Sequence, residues 1–255
     1  MKYLLILTLS ILSISSFANC DTKVNYISDF DDTIKTYRSE FPLFKLGNAL
    51  WRKNVNAGMP ELFRQLAEEQ ESCGHSLDFT VLTASLRLFR PSIRSFMKYY
   101  KLPKYRLIVR PISEKTLQYK KSRLYRLITQ SENPVILIGD DTSYDAVAYV
   151  WAKKKFPKKV LQIYIHNVKG KKPVGDEHKY FSTWEIAVQE HLAGRLGLNS
   201  AILIGNKVLN SQMKDIIPKY GECPKKIENI DYNHPELNKI NREINKKIIS
   251  HCKSR

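Results

Sequence analysis

The sequence has few acidic residues and no long apolar run, and both absences limit what the protein can be. Only 25 of its 255 residues are Asp or Glu, against 42 Lys and Arg, so the formal net charge is +17. Such a surface attracts phosphate-rich partners or acidic membranes. With 43% hydrophobic and 26% charged residues, the composition is close to the globular average. It excludes a disordered chain, a fibrous repeat and a polytopic membrane protein, and there is no internal repeat.

The most apolar segment lies at the start of the chain and is too short to cross a bilayer. Apart from three hydroxyl residues, residues 4–14 are all apolar, whereas a membrane-spanning helix needs about 20 such residues. Lys2 precedes the segment, and the small residues Ser16 and Ala18 follow it. This is the arrangement of a secretory signal peptide. We therefore predict a signal peptide over residues 1–18 and an exported protein, either periplasmic or secreted.

Cysteine is scarce, and its spacing argues against a zinc site. The four cysteines form no CxxC pair and no Cys/His ligand pattern; they are Cys20, Cys73, Cys223 and Cys252. In an oxidising compartment one or two disulfides are expected. Three pairings stay open, of which Cys223 with Cys252 would hold the C-terminal tail. Two other fates of the N-terminus stay open as well, an uncleaved membrane anchor and a lipoprotein processed at Cys20.

Short apolar segments alternate with amphipathic segments along the middle of the chain. The apolar segments predict strands over residues 24–28, 77–82, 107–109, 135–138 and 161–165. The amphipathic segments predict helices from residue 60 and over 91–100, 117–129, 145–155, 181–192 and 236–252. Such alternation indicates βαβ crossovers, and hence an α/β fold with a doubly wound, mostly parallel sheet. The pattern weakens later, so we expect one domain over residues 19–199 and a basic C-terminal extension over residues 200–255.

Two acidic clusters stand out from the basic background, and each directly follows a predicted strand. They are residues 29–33 (DFDDT) and residues 139–145 (GDDTSYD). Thr83 directly follows another predicted strand, that over residues 77–82. Ligands of an open parallel sheet bind beyond the carboxyl ends of its strands, so these side chains should share one crevice. Like charges placed so close together need a cation, and Mg²⁺ suits oxygen ligands. Either cluster alone is more typical of helix N-caps and loop acids than of a site; the two clusters together, at matching strand ends, favour a site.

The order and spacing of these motifs resemble the haloacid dehalogenase superfamily of aspartate-nucleophile phosphatases. Its signatures are DFDDT after a strand, a Thr after the next strand, a Lys that opens a helix, and GDxxxxD after a later strand. Further segments over residues 24–168, among them ISDFDDTIK, AGMPEL and LTAS, are similar to the catalytic domain of the actin-patch-type phosphatidate phosphatases. Two departures lie near the expected substrate mouth. Leu86-Arg87 stands where Pro-Trp is common, and His166-Asn167 stands where Arg-Asp is usual.

The resemblance implies catalytic roles for four side chains. Asp29 would be the nucleophile that forms an aspartyl-phosphate. Asp31 would be the acid/base that protonates the leaving group and later activates water. Thr83 would donate a hydrogen bond to a phosphate oxygen, and Lys120 would supply a fixed positive charge. Lys121 is adjacent, and it stays an alternative to Lys120.

The resemblance also implies the ligands of a metal ion, and the length of the chain between two of the motifs limits the size of a cap. Mg²⁺ would be held by the Asp29 carboxylate, the Asp31 backbone carbonyl and Asp140, while Asp145 orients this shell. The segment between Asp31 and Thr83 holds one helix and leaves roughly 25 residues for a flap, too few for a large cap. A bulky or membrane-bound phosphate could therefore reach the site.

Basic runs at residues 98–126, 153–159 and 169–172 bear on the substrate. Each lysine near an acidic bilayer contributes about 1 kcal/mol, although such runs also suit nucleic acid or a solvated face. We expect an exported, Mg²⁺-dependent phosphomonoester hydrolase that acts on phosphatidate at a membrane surface. A phosphatase of soluble nucleotides or sugar phosphates, and a non-catalytic basic binding protein, are the alternatives. The oligomeric state stays open.

Overall fold

A six-stranded sheet, in which every neighbouring pair of strands is parallel, forms the centre of the structure. This computed structural model describes residues 20, 23–36, 54–227 and 230–255; the predicted signal peptide and much of the predicted flap lie outside them. The strands are β1 (Asn25–Ser28), β2 (Phe79–Leu86), β3 (Arg106–Arg110), β4 (Val135–Asp140), β5 (Val160–His166) and β6 (His178–Tyr180). Their order, β3-β2-β1-β4-β5-β6, is that of a doubly wound sheet, which confirms the predicted α/β fold.

Helices cover both faces of this sheet. They are α1 (Met59–Ser72), α2 (Arg90–Tyr99), α3 (Thr116–Gln130), α4 (Asp145–Lys155), α5 (Thr183–Leu192), α6 (Leu198–Leu209) and α7 (Pro235–Lys253). Proline stands in the first turn of α1, α2 and α7, where its fixed φ favours helix initiation and no hydrogen bond is lost. A capping box between Ser182 and Glu185 begins α5.

The two faces of the sheet form separate hydrophobic cores, because side chains alternate along each strand. Ile136 and Ile138 of β4 lie in the core that α1, α2 and α5 cover. Leu137, between them, lies in the core that α3 and α4 cover. β4 is buried along its whole length, as expected of a central parallel strand.

The structure contains three features that the sequence patterns do not predict. β2 continues past Thr83 to Leu86, with a register irregularity between these two residues; Thr83 is therefore not the last residue of its strand. β6 is only three residues long, too short for an alternating pattern to be visible. Helix α6 runs through the predicted boundary at residue 200, and that division of the chain stays a prediction.

The residues after 200 pack on the sheet domain through a third hydrophobic core. Ile240 and Ile244 of α7 share this core with Trp184 of α5 and Val208 of α6. The indole N–H of Trp184 also donates a hydrogen bond to Asn241 of α7 at 3.1 Å. The C-terminal helices are therefore continuous with the rest of the hydrophobic interior.

All four cysteines form disulfides, Cys20–Cys73 and Cys223–Cys252. The second is the pairing suggested for the C-terminal tail. Disulfides persist in oxidising compartments, so both indicate a location outside the cytoplasm. The sulfur of Cys20 is bonded to another sulfur and is not available for lipid attachment. Within the described part of the chain, no helix is both long and apolar enough to cross a membrane.

The packing of α6 against Trp184 can be tested at Gly205. A Cβ atom at this position would lie 2.6 Å from two carbons of the Trp184 ring. Gly→Ala inside a helix ordinarily stabilises by about 0.5–1 kcal/mol. Here we expect Gly205→Ala to lower the free energy of unfolding by about 1–3 kcal/mol, because the added methyl group overpacks the core. Chemical denaturation measures this, with Asn206→Ala on the exposed side of α6 as the control. A stabilised Gly205→Ala variant would show that α6 does not pack as described.

Candidate active site

Three buried carboxylates meet at the carboxyl edge of the sheet. Asp29 directly follows β1, Asp140 ends β4, and Asp145 opens α4. One oxygen of each lies within 4.8 Å of one oxygen of each of the others. The backbone N–H of Asp29 donates a hydrogen bond to the Ile138 carbonyl at 2.8 Å, which fixes the end of β1 against β4. The two acidic clusters of the sequence therefore form one site.

Lys120, in the first turns of α3, is the cation of this cluster. Its ammonium lies 2.9 Å from Asp29 Oδ1 and also donates a hydrogen bond to Asp145. The side chain is fully buried. Burial alone would lower the pKa of Lys120, but the charges of Asp145 and Asp29 outweigh it and raise this pKa above its usual value. Lys121 lies outside the cluster, with its ammonium 5.3 Å from the centre of the Trp151 ring.

One ammonium does not balance three buried carboxylates. Burial raises the pKa of Asp29 well above its usual value, against the opposing effect of Lys120, and the charges of Asp145 and Asp140 raise it further. Burial likewise raises the pKa of Asp145 to about 7. A divalent cation would relieve this repulsion and stabilise the ionised carboxylates. Because all the donors are oxygens, the group suits a hard ion such as Mg²⁺.

The loop between β4 and α4 holds the Asp140 carboxylate in place. Asp140 Oδ1 accepts hydrogen bonds from the Thr142 backbone N–H at 2.6 Å and from the Thr142 hydroxyl. The residue before it must be glycine, because a Cβ atom at Gly139 would lie 2.7 Å from Asp145 Cβ and from the Tyr149 ring. The GDxxxxD spacing therefore reflects the close approach of α4 to β4.

Asp31 lies near this cluster but has a different environment. Its carboxylate accepts a hydrogen bond from the Ser85 hydroxyl at 2.5 Å. Burial raises the pKa of Asp31, while the Ser85 hydrogen bond and the Lys35 charge oppose the increase. A raised pKa favours the protonated form of a carboxyl group, the form that an acid catalyst needs. The Asp31 carboxylate is not one of the three grouped around Lys120, whereas Asp145 is one of them.

Thr83 is buried beside Ser85, and its hydroxyl accepts a hydrogen bond from the Ser85 backbone N–H at 3.0 Å.

Phe30, between Asp29 and Asp31, points into the core and contacts Phe96 edge to face, with ring centroids 5.1 Å apart. The alternation along residues 29–31 therefore separates the site-facing carboxylates from a packing residue. Ser85 was not predicted as a site residue, although it lies in the LTAS motif.

His166 explains one departure from the usual family pattern. Its Nδ1–H donates a hydrogen bond to the Asp32 carbonyl at 2.7 Å, and its ring stacks on Tyr180 with centroids 5.1 Å apart. Burial lowers the pKa of His166, so the neutral ring is favoured. The structure places this residue, noted in the sequence as a departure near the expected substrate mouth, against the DFDDT loop.

The basic runs do not form one surface. α2 leads away from the carboxyl edge, so its last turn, which holds Lys98, lies towards the opposite edge of the sheet from Lys115, which precedes α3. The lysine-rich loop after β5 does lie at the carboxyl edge. Asp141 holds it there by accepting hydrogen bonds from the backbone N–H groups of Lys169 at 2.7 Å and Lys171 at 3.0 Å.

The two adjacent lysines should differ strongly in their effect on stability. We expect Lys120→Met to lower the free energy of unfolding by about 3–5 kcal/mol, because it leaves buried carboxylates without their cation. Lys121→Met removes only a cation–π contact and should cost about 0.5–1 kcal/mol. Urea denaturation of both variants measures the difference. Equal losses would contradict the placement of Lys120.

Binding of Mg²⁺ should be visible as thermal stabilisation. At 100 times its dissociation constant, an ion that binds only the folded state adds about 2.7 kcal/mol, and we expect the melting temperature of the wild type to rise accordingly. Asp140→Asn should fold but lose this response, whereas Glu132→Gln, an exposed acid outside the site, should keep it. If Asp140→Asn keeps the full shift, the ion binds elsewhere.

Comparison with known proteins identifies the family. A family model described as "Phosphatidate phosphatase APP1, catalytic domain" matches residues 24–167, which is more than half of the 255 residues. No curated protein and no solved structure matches the chain. The matched region contains the acidic cluster, Lys120, Thr83 and the strands that position them. The chain therefore belongs to the family of the phosphatidate phosphatase APP1 catalytic domain, as its motifs indicate.

Proposed function

We propose that the protein is an exported, Mg²⁺-dependent phosphatase that hydrolyses phosphatidate to diacylglycerol and phosphate through an aspartyl-phosphate at Asp29. The observation that carries this proposal is the buried group of Asp29, Asp140 and Asp145 around Lys120. It lies within a chain of the phosphatidate phosphatase family. Such a concentration of charge is costly in a core and is typical of a site that handles a charged ligand.

In the first step, Asp29 attacks phosphorus. Lys120 binds Oδ1 of Asp29, so Oδ2 is the oxygen that forms the new bond to phosphorus as the bond from phosphorus to the glycerol oxygen breaks. Asp31 donates its proton to the departing glycerol oxygen. The Ser85 hydroxyl, 2.5 Å from Asp31 Oδ2, orients this carboxyl group.

In the second step, Asp31, now ionised, takes a proton from water, which attacks phosphorus and releases phosphate from Asp29. An ammonium has three N–H donors; two of those of Lys120 bind Asp29 and Asp145, and the third serves a phosphoryl oxygen. Asp29, Asp140 and the Asp31 carbonyl would hold Mg²⁺, with Asp145 beside them. When bound, the ion would offset the charge of the carboxylates and of the phosphate oxygens.

Exposed apolar side chains at the same edge favour a lipid over a soluble phosphate. Leu86 pairs with Arg110 at the ends of β2 and β3, and two residues beyond each lie Leu88, 62% exposed, and Ile112, 84% exposed. Tyr144, next to Asp145, is 50% exposed. The basic residues nearby would be attracted to anionic headgroups. A bilayer that contacts this edge would present its phosphates to Asp29.

The location follows from independent features. Both disulfides are typical of an oxidising compartment. The apolar segment at residues 4–14 is preceded by a lysine and followed by small residues, as in a secretory signal peptide. We infer that the phosphatase acts outside the cytoplasm, at the periplasmic or outer face of a membrane.

The nucleophile assignment predicts the behaviour of two variants. Asp29→Asn should abolish phosphate release from phosphatidate vesicles in the presence of Mg²⁺, and Asp31→Asn should lower it by about 10²–10⁴-fold. A phosphate-release assay that also includes nucleotides and sugar phosphates measures the substrate preference. If kcat/KM is higher for a soluble compound than for phosphatidate, that compound and not phosphatidate is the preferred substrate. If no monoester is hydrolysed, the chain is a binding protein on a phosphatase scaffold.

The lipid contact predicts a second, separable effect. We expect the double variant Leu88→Ser, Ile112→Ser to lose about tenfold in kcat/KM, or about 1.4 kcal/mol, on phosphatidate in anionic vesicles. On dispersed short-chain phosphatidate it should retain wild-type rates. Leu192, 56% exposed at the far end of α5, provides the control variant Leu192→Ser. Equal losses on vesicles and on dispersed substrate would argue against docking by these residues.

A further inference from the structure

A tyrosine from beyond the family-matched region contacts the DFDDT loop. The Tyr220 hydroxyl donates a hydrogen bond to Asp32 Oδ1, across 188 residues of sequence. The Lys169 ammonium lies 5.5 Å from the centre of the Tyr220 ring and 3.4 Å from its backbone carbonyl. Residues 218–223 therefore lie at the carboxyl edge of the sheet, next to the site. We call them the tyrosine loop.

The tyrosine loop is held by several contacts with the rest of the protein. The Glu222 backbone N–H donates a hydrogen bond to the Val168 carbonyl at 2.7 Å. Arg255 donates hydrogen bonds to the carbonyls of Gly221, at 2.9 Å, and Lys219. The Cys223–Cys252 disulfide links the end of the loop to α7. Because α7 packs in the third hydrophobic core, the position of Tyr220 depends on the C-terminal helix.

Asp32 needs restraint from outside its own loop. It has a φ of 58°, in the left-handed region that is uncommon for residues other than glycine. Such residues cost of order 1–3 kcal/mol and persist only where the surroundings fix them. The backbone N–H of Asp32 donates to the Lys35 carbonyl at 2.6 Å, and His166 donates to its carbonyl at 2.7 Å. Tyr220 contacts its side chain, at Oδ1.

We propose that Tyr220 is a positioning residue: it holds Asp32, and through Asp32 it keeps the neighbouring Asp31 aimed at the leaving group. The proposal rests on the proposed function, because it assigns to Asp31 the role of acid. It gives the C-terminal extension a part in catalysis, and it makes the Cys223–Cys252 disulfide a support of the site. Asp31 is the next residue to Asp32 and its carboxylate contacts the Ser85 hydroxyl at 2.5 Å, so a shift of Asp32 would disturb that contact.

A comparison of two leaving groups tests this role. p-Nitrophenolate departs without a proton, whereas the glycerol oxygen of dispersed short-chain phosphatidate needs one. We expect Tyr220→Phe to lower kcat/KM for short-chain phosphatidate by about 10–100-fold, since a small misplacement of a catalytic group costs about 10². The loss for p-nitrophenyl phosphate should be less than about threefold by the same argument. A role in stability alone would affect both substrates equally.

Matched variants separate this effect from a general loss of stability. Tyr164→Phe removes another tyrosine hydroxyl, one that donates a hydrogen bond to Glu190 at 2.7 Å. It should leave kcat/KM unchanged for both substrates. Replacing both Cys223 and Cys252 by Ser should reproduce the pattern of Tyr220→Phe. Replacing both Cys20 and Cys73, which lie at the opposite edge of the sheet, should not. Melting temperatures are recorded for every variant.

The outcomes distinguish this inference from the proposed function. If the wild type hydrolyses both compounds and Tyr220→Phe loses nothing, or loses equally on both, the role of Tyr220 is overturned and the proposed function stands. If the wild type hydrolyses neither compound, both are overturned. Should Tyr220→Phe fail to fold, Asp32→Asn replaces it, because asparagine tolerates the left-handed region. A smaller loss with the same preference between the two leaving groups would support the proposal.

Discussion

The contact between the buried Lys120 ammonium and the carboxylates of Asp29 and Asp145 is the interaction on which the rest of the site depends. A charged lysine that is buried away from water is stable only when opposite charges surround it. Here α3 places Lys120 at the ends of β1 and β4. Asp140, the third carboxylate, is not hydrogen-bonded to this ammonium, and no salt bridge to it is found among the described residues. The site is therefore preorganised for a cation, which would offset the carboxylate charge that otherwise repels a phosphate, as phosphoryl transfer requires.

The sheet order explains why these groups meet. β1 lies in the middle, and the chain continues to β2 and β3 on one side and to β4, β5 and β6 on the other. A crevice opens at such a switch point, beyond the carboxyl ends of the strands. Asp29 and Asp140 stand at its two sides, and Thr83 of β2 and His166 of β5 flank them. The C-terminal helices pack on this frame and carry the tyrosine loop to its edge.

The sequence was sufficient for the parts of the site that lie at the ends of apolar strands. Asp29, Asp140 and Asp145 could be placed together because strand ends of a parallel sheet share an edge. The choice between Lys120 and Lys121 needed coordinates, since one residue of helical rotation separates the core from the Trp151 ring. Ser85 and Tyr220 were not identified as site residues, and His166 was noted only as a departure near the expected substrate mouth, because a strand pattern does not show which side chain contacts which loop. β6 and α6 were missed as well: β6 is only three residues long, and α6 begins at Leu198, shortly after α5 ends at Leu192.

The central claim is that Asp29 forms a covalent bond to phosphorus, and reductive trapping tests it most directly. Borohydride reduces an acyl-phosphate but not a free carboxylate. When the enzyme is mixed with short-chain phosphatidate and Mg²⁺ and quenched with borohydride, the account predicts homoserine at position 29 in the peptide that contains the DFDDT motif. Homoserine should be absent without substrate. Conversion of a different carboxylate, or rapid phosphate release with residue 29 still aspartate after reduction, would contradict the account.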